Sequence, residues 1–318
     1  MCGVKKILAI VGATASGKSS LALSLAAHHN GEIVSCDSMQ IYRGMDIGTA
    51  KPTESEMKAV PHHLIDVADP GADFSAGDYA ELAAKAVDGI ISRGALPVFC
   101  GGTFLYLDAL TEISSLSDSS KDEELRRSLA EFAKENGAHA LHEKLRTIDP
   151  DAANAIHENN VKRVIRAIEI YETTGKTKTE WDARSKESAS PYDVTRLLID
   201  YRDRSVLYGR IDERVDKMID DGLEAEAKRL FDAGYLSPDR TASGAIGYKE
   251  FIPYFKGEAT LGEVIEEIKR STRNYAKRQM TWLRRYKDAL TVYGDGRSAK
   301  EIYDDAESLL CSAGFFER

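Results

Sequence analysis

The 318 residues contain only four cysteines, Cys2, Cys36, Cys100 and Cys311, and no two of them lie at the short spacing of a zinc knuckle or a redox dithiol. This usage excludes the disulfide framework of a small secreted domain, and a reducing, cytoplasmic setting is expected. The chain also lacks any run of about 18 apolar residues free of charge, the length needed to cross a bilayer. Its opening Met-Cys-Gly-Val-Lys-Lys leads only into a short apolar stretch ending in glycine, so neither export nor a membrane span is expected. An excess of positive charge is missing as well. The 43 Lys and Arg stand against 52 Asp and Glu, a net charge of −9, which argues against a protein basic throughout but leaves room for a local basic patch. No internal repeat or low-complexity segment is visible.

What is present is 42% hydrophobic and 30% charged, enough over 318 residues to fill one large core or two smaller ones, which excludes a peptide hormone or a disordered tail. Ile7-Leu8-Ala9-Ile10-Val11 is a continuous apolar run bounded by lysines and Gly12, the pattern of a strand buried on both faces of a parallel sheet. A helix is expected over 20–27 and a second strand over 32–36. A further helix is expected over 78–93, and Leu96-Pro97-Val98-Phe99-Cys100 makes another strand that stops at Gly101-Gly102. This alternation predicts an α/β fold, a P-loop NTPase-like parallel sheet core. From Thr111 the character changes. A Ser- and Asp-rich link over 114–122 opens a polar, helical stretch to about 190, and Arg196-Leu197-Leu198-Ile199-Asp200 reads as a strand returning to the sheet. The remainder reads as helical, with Gly222 and Gly234 at helix ends. The expected organisation is a first part of the core over 1–113, a helical insertion over 114–190, and a second part of the core over 191–318 that carries a basic C-terminal helix.

Gly12-Ala13-Thr14-Ala15-Ser16-Gly17-Lys18-Ser19 fits the pattern of a phosphate loop and lies between a buried strand and a helix, the setting that loop requires. Glycines let successive N–H groups turn onto phosphate oxygens, the helix start adds its positive dipole end, Lys18 brings a cation, and Ser19 can ligate magnesium. The loop is suited to a diphosphate or a longer chain. Asp37 follows the second strand directly and therefore opens onto the same crevice. Three roles stand open for it: a general base, a magnesium ligand, or an Asx turn leading into Ser38. Asp200, after three apolar residues, is a rival carboxylate of Walker B appearance. Thr103, after the second glycine turn, can offer its hydroxyl to the crevice or simply close a turn. The pairs His62-His63 and His139/His142 have no third ligand nearby and are read as packed or solvated.

Residues 268–287 hold eight cations and no acid, namely Lys269, Arg270, Arg273, Lys277, Arg278, Arg284, Arg285 and Lys287. At about 100° per residue, all eight fall on one half of a helix while Ile265, Ile268, Tyr275, Ala276, Trp282, Leu283 and Tyr286 fall on the other. In an acidic chain such a face suits a polyanion such as an RNA backbone; salt bridges to the acidic remainder are the alternative. A second cluster, Lys162-Arg163-Val164-Ile165-Arg166, sits on a helix of the insertion.

The phosphate loop, followed by Asp37-Ser38-Met39-Gln40-Ile41-Tyr42-Arg43-Gly44-Met45-Asp46-Ile47-Gly48-Thr49-Ala50-Lys51-Pro52, closely resembles the tRNA dimethylallyltransferases, also called tRNA isopentenyltransferases. Pro61-His62-His63-Leu64-Ile65-Asp66, Gly101-Gly102-Thr103, Arg163-Val164-Ile165-Arg166-Ala167-Ile168-Glu169, Ala245-Ile246-Gly247-Tyr248-Lys249-Glu250 and Tyr275-Ala276-Lys277-Arg278-Gln279-Met280-Thr281-Trp282 extend the resemblance over nearly the whole chain. It implies transfer of a dimethylallyl group from dimethylallyl diphosphate to N6 of the adenosine 3′ to a tRNA anticodon, with Mg2+ at Ser19. By the same resemblance Asp37 is the base, Thr103 touches the tRNA base, and Arg214, rather than Arg210, helps hold the donor diphosphate with residues 12–19. The implied tRNA contacts are Asp37, Ser38, Met39, Gln40, Thr103, Lys162, Arg163, Val164, Ile165 and Arg166. To these the reading of the cationic face adds Arg273, Lys277 and Arg284. The late part of the chain has one lone cysteine, Cys311, and no zinc-finger pattern, so a bacterial-type enzyme is implied; a monomer is the simplest form. Phe104, Asn160 and Gly244 depart from the family pattern, where glycine, aspartate and glutamine are usual. Rival readings are a small-molecule P-loop kinase, an AMP isopentenyltransferase and a catalytically silent RNA-binding relative.

Overall fold

The structure, a computed structural model, describes residues 4–111, 122–187, 190–237 and 240–317. Cys2 and all but the last residue of the 114–122 link lie outside the described residues. In chain order the elements are β1 (Lys5–Gly12), α1 (Lys18–His28), β2 (Gly31–Ser35), α2 (Glu54–Ala59), β3 (His62–His63), α3 (Ala76–Ser92), β4 (Leu96–Gly101) and α4 (Phe104–Thr111). Helices α5 (Glu123–Ile148), α6 (Pro150–Ala155), α7 (Val161–Thr174) and α8 (Lys178–Glu187) follow. The chain continues with β5 (Tyr192–Asp200), α9 (Arg204–Asp220), α10 (Leu223–Asp232), α11 (Ile252–Phe255), α12 (Leu261–Leu283), β6 (Leu290–Tyr293) and α13 (Ala299–Ser312).

Two compact units result, one of Met1–Ser75, Leu82–Asp108 and Tyr192–Arg318, the other of Ala76–Glu81 and Ala109–Pro191. In the first, six strands of the described residues form one parallel sheet in the order β3-β2-β4-β1-β5-β6. The apolar run of β1 explains its place inside the sheet: residues 7–12 are all buried, flanked by β4 on one side and β5 on the other. Each of its large aliphatic side chains contributes about 1.5–3 kcal/mol by leaving water. Because every strand points the same way, the turns after β1, β2 and β4 open at one edge of the sheet. In the second unit Leu129, Leu141, Leu145, Val164 and Ile168 form the core of a helical cluster.

Two sequence readings need correction. Leu290–Tyr293 is a strand at the sheet edge beside β5, where only helix is expected; four residues with Val292 alone buried are too few for a period to register. The basic helix is also displaced. α12 opens seven residues before Ile268 with a Thr260/Glu263 capping box and ends at Leu283, so Arg284, Arg285 and Lys287 leave the helical wheel. Its end tightens through bonds from Arg285 N to Trp282 O (3.0 Å) and from Tyr286 N to Leu283 O (3.0 Å). Buried Asp108 then accepts from Trp282 Nε1 (3.1 Å) and Tyr286 Oη (2.6 Å), fixing the turn. Gly222 and Gly234 do stand at helix ends, both in the left-handed region.

The loop over 42–51 is held from below by one carboxylate. Glu226 of α10 accepts from the N–H groups of Asp46 (3.1 Å), Ile47 (3.0 Å) and Gly48 (3.2 Å) and from the hydroxyl of Tyr248 (2.7 Å). Lys51 closes the loop from the other side, donating to Tyr42 O (2.6 Å) and to Asp46 Oδ1 (2.6 Å). Glu226→Gln replaces one acceptor oxygen by a donor and removes the charge. The loss is expected to be about 1.5–3 kcal/mol, read as a lower denaturation midpoint at unchanged slope.

Candidate functional site

At the start of α1, Gly17 is the N-cap in the left-handed conformation and no side chain caps it, so the first N–H groups of the helix remain open to a ligand. Ala15 is also left-handed, which turns the loop into a concave nest. The carbonyls of the loop are tied into the fold: Tyr201 Oη donates to Ser16 O (3.0 Å), Arg210 Nε to Ala15 O (2.9 Å), and Ser16 N to Ala13 O (3.2 Å). Two further cations, Lys18 and Arg214, lie against it. Lys18 Nζ lies 3.3 Å from Ala13 O, and Arg214 Nη1 lies 3.4 Å from Thr14 Oγ1. Burial pushes Lys18 below its ordinary value, with the Arg214 charge acting in the same direction. Arg214 is depressed by burial too, against the raising field of Asp37. Two desolvated cations facing a set of open N–H groups suit a polyanion.

This nest forms one wall of a cavity of about 540 Å³ that also reaches Asp37, Cys100 and Tyr275. A second cavity of about 230 Å³ opens on the other side of the same carboxylate, among Met39, Met218, Ile246, Ile268 and Arg278. Thr14, Asp37, Thr49, Arg214 and Tyr275 line both. A cationic chamber of mixed lining and a mainly apolar one therefore meet at Asp37.

Of the three sequence readings of Asp37, the Asx turn is present, with Met39 N donating to Oδ1 (2.9 Å), and the residue also borders both cavities. Asp200 does not line either cavity; its Oδ1 accepts from Tyr201 N (2.9 Å) at the start of the next turn. Thr103 Oγ1 accepts from Ser38 N (3.0 Å) and donates to Ser38 Oγ (3.1 Å), so it braces the loop that carries Asp37. Gln40, also expected at a nucleic-acid contact, spends its amide inside the chain, on Ser35 Oγ and on the carbonyls of Thr49 and Ala50. His62 and His63 bond to Val60 O (2.8 Å) and Glu32 Oε2 (2.6 Å), and His142 to Ile156 O (2.8 Å).

The basic clusters divide on inspection. Val164 and Ile165 are 0% and 8% exposed and pack in the helical core, so their side chains are not available to an outside ligand; Arg166 pairs with Glu169 (2.7 Å). Lys162 and Arg163 remain exposed. On α12, Lys269 pairs with Asp216 (2.7 Å), Arg270 with Glu267 and Arg273 with Asp212, so the salt-bridge reading holds for that stretch. Lys277, Arg278, Arg284, Arg285 and Lys287 are exposed and form no ion pair among the described residues.

Residues 40–286 match a family model described as IPP transferase. The chain belongs to the IPP transferase family. Among its relatives, a tRNA dimethylallyltransferase of Halalkalibacterium halodurans is 50% identical over 280 residues, 88% of either chain. One of Acetivibrio thermocellus is 45% identical over 311 residues, covering 98% of this chain and 99% of the relative. The crystal structure of a full-length tRNA isopentenylpyrophosphate transferase from Bacillus halodurans superposes with a TM-score of 0.69 at 45% identity, covering 98% of this chain and 96% of the other. A eukaryotic dimethylallyltransferase captured acting on tRNA gives a TM-score of 0.84 at 30% identity, with 98% of this chain and 79% of the other covered.

The three departures can now be placed in this transferase. Phe104 is 5% exposed, meets Tyr286 edge-on with ring centroids 6.1 Å apart, and lines neither cavity. Asn160 is the N-cap of α7 and makes no side-chain capping bond. Gly244 borders the smaller cavity, and a Cβ there would meet open space.

Sequence reasoning missed Gln279 and the part played by Tyr275. Gln279 falls near 280° on the wheel that sets Lys269 at zero, the middle of the apolar arc of α12, and a buried amide there must have partners. That was the legible signal. Tyr275 Oη bonds to Gly102 O (3.3 Å), and burial, together with the Asp37 charge, raises its pKa.

With Lys18 and Arg214 forming an anion site, Arg214→Gln is expected to weaken binding of inorganic diphosphate by roughly 10- to 100-fold, the scale of a hydrogen bond to a charged group. Arg210→Gln removes a cation that lines the same cavity but spends its Nε on Ala15 O, and is expected to weaken binding by less than Arg214→Gln does. Titration calorimetry with inorganic diphosphate distinguishes the two.

Proposed function

We propose that this chain transfers a dimethylallyl group from dimethylallyl diphosphate to the exocyclic N6 of the adenosine 3′ to a tRNA anticodon. The observation that carries the reading is the meeting of the cationic chamber and the apolar one at a single carboxylate, Asp37. The first chamber is suited to the donor diphosphate, the second to a flat base whose ribose and phosphates lie toward Arg278 and the other unpaired cations. Membership of the IPP transferase family and the names of its relatives support the same chemistry.

In this reading the loop from Gly12 to Ser19, with Lys18 and Arg214, holds the diphosphate and takes up the charge that develops as the C1–O bond breaks. The adenine amine attacks C1 as that bond opens, and Asp37 accepts the N6 proton, so that N–C bond formation and deprotonation proceed together. Oδ1 is engaged by Met39 N, which leaves Oδ2 for the proton. Thr103, through Ser38, holds the Asp37 turn at the mouth of the second chamber. The base has to leave the anticodon stack to enter.

Magnesium fits the donor side. The Ser19 hydroxyl, exposed beside Lys18 at the start of α1, lines the larger cavity and is the residue that would hold the ion. Bound there, magnesium would neutralise charge on the departing diphosphate. We place the RNA backbone along Lys277, Arg278, Arg284 and Arg285 and on exposed Lys162 and Arg163, with Ser38 and Met39 near the base. No described helix is long and apolar enough to cross a membrane.

Asp37→Asn keeps an acceptor for Met39 N and removes only the base. The maximal rate of prenyl transfer should fall by about 10² to 10⁴ while diphosphate affinity stays within about threefold. Lost donor affinity at an unchanged maximal rate would make Asp37 a ligand instead. For the RNA contacts, Lys277→Gln with Arg284→Gln should flatten the plot of log affinity against log salt by roughly 0.7–0.9 per phosphate contact removed. Arg273→Gln, taken from a salt bridge with Asp212, should leave that slope unchanged and lower the melting temperature.

A further inference from the structure

Gln279 is a polar side chain on the packing face of α12, only 4% exposed. Its Oε1 accepts from Thr14 N at 2.8 Å, inside the phosphate loop, and its Nε2 donates to Gly102 O at 3.0 Å, inside the second glycine turn. The space it occupies is reserved by the absence of a side chain: a Cβ on Gly102 would stand 2.2 Å from Nε2. One helical turn earlier, Tyr275 Oη reaches the same Gly102 carbonyl at 3.3 Å. From Gly102 the connection continues through Thr103 to Ser38, the neighbour of Asp37.

We propose that Gln279 is a positioning residue, which ties the donor loop at Thr14 to the acceptor-side turn at Gly102 and so sets the spacing between the diphosphate and Asp37. The inference rests on the reading of the two chambers given above. Both partners of Gln279 are backbone groups, so the spacing is set by main chain rather than by mobile side chains. The Thr14 N–H is committed to the glutamine, which leaves the other open N–H groups of the Gly12–Ser19 loop, with Lys18, for the anion. α12 is also the helix that carries Lys277 and Arg278 on its exposed side, and the same rod therefore joins the RNA-facing surface to both reacting loops.

The test uses the whole protein and two substitutions. Gln279→Met keeps the volume and the apolar packing and loses both bonds. Expected are a cooperative melt, tRNA affinity within about twofold of wild type, a roughly tenfold weaker affinity for inorganic diphosphate, and a kcat lower by about 10²-fold, the scale of a misplaced reacting group. Gln279→Glu gives a second readout. Its ionised carboxylate faces the Gly102 carbonyl, whereas the protonated acid donates to Gly102 O and accepts from Thr14 N. The ratio of Gln279→Glu to wild-type kcat should therefore rise as the pH is lowered from 8 to 6.

Wild-type kcat and diphosphate affinity in Gln279→Met would overturn the proposal. So would a loss of kcat matched by an equal loss of tRNA affinity and a broadened melt, which mark a general packing defect. Should wild type itself fail to prenylate tRNA, the reading of the substrates falls, and the diphosphate titration alone decides the positioning role: tenfold weakening supports it, no change overturns it.

Discussion

The contact between the ends of β2 and β4 constrains the whole site. Cys36 N donates to Cys100 O (2.8 Å) and Thr103 N to Cys36 O (3.0 Å), and a Cβ on Gly101 would lie 2.0 Å from that same Cys36 oxygen. No side chain can stand between these strand ends, so glycine is required at 101. The following residues, Asp37 on one strand and Gly102 on the other, leave the sheet side by side. β4 also pairs with β1. The phosphate loop that follows β1 thus comes within reach of both, and the chemistry of the site follows from where three parallel strands stop.

The electrostatics follow the same geometry. Lys18 is buried and Arg214 partly buried, neither with a carboxylate partner in bonding contact, an arrangement that a protein built for stability alone would avoid. Their charges are disfavoured by burial, while Asp37 is close enough to raise both. An arriving polyanion relieves this unfavourable state, so part of its binding energy is stored in the unliganded fold. Elsewhere the chain is conventional. Glu32 is matched with Arg93 and His63, and Glu169 with Arg126 and Arg166.

Much of this was readable from the residues alone. The strand-loop-helix context of Gly12–Ser19, the apolar runs at 7–11 and 96–100 and the short strand expected over 32–36 placed all three converging strands, because a strand buried on both faces leaves a continuous apolar signature. The short edge strand β6 left none, since only Val292 of its four residues is buried. The cationic half-cylinder was correctly drawn for α12 up to Leu283, yet its meaning changed: Asp212 and Asp216 of α9 neutralise Arg273 and Lys269, a pairing between residues about 55 positions apart that no periodicity within one helix can register. Gln279 was legible as an anomaly, a glutamine in an apolar arc, but its partners at Thr14 and Gly102 are fixed by tertiary contact. For Val164 and Ile165 the resemblance implies tRNA contacts along a contiguous stretch, whereas the helix turns these two of its five residues into the core.

β1 is the first strand made and among the last to be completed. It pairs along its length with β5, Lys5 facing Tyr192, and Lys6 Nζ donates to Phe315 O (2.6 Å) from 309 positions away. During synthesis, about 190 residues must leave the ribosome before the central strand of the sheet has both neighbours, and nearly the whole chain before its first lysines find their last partner. By then the helical cluster of α5 to α7, built on near-neighbour contacts, has had time to fold. The β5 side of the apolar run at 7–11 lacks its neighbour meanwhile. A nascent chain of this protein is therefore most prone to aggregation, and most in need of a chaperone, over the stretch between emergence of β1 and emergence of β5.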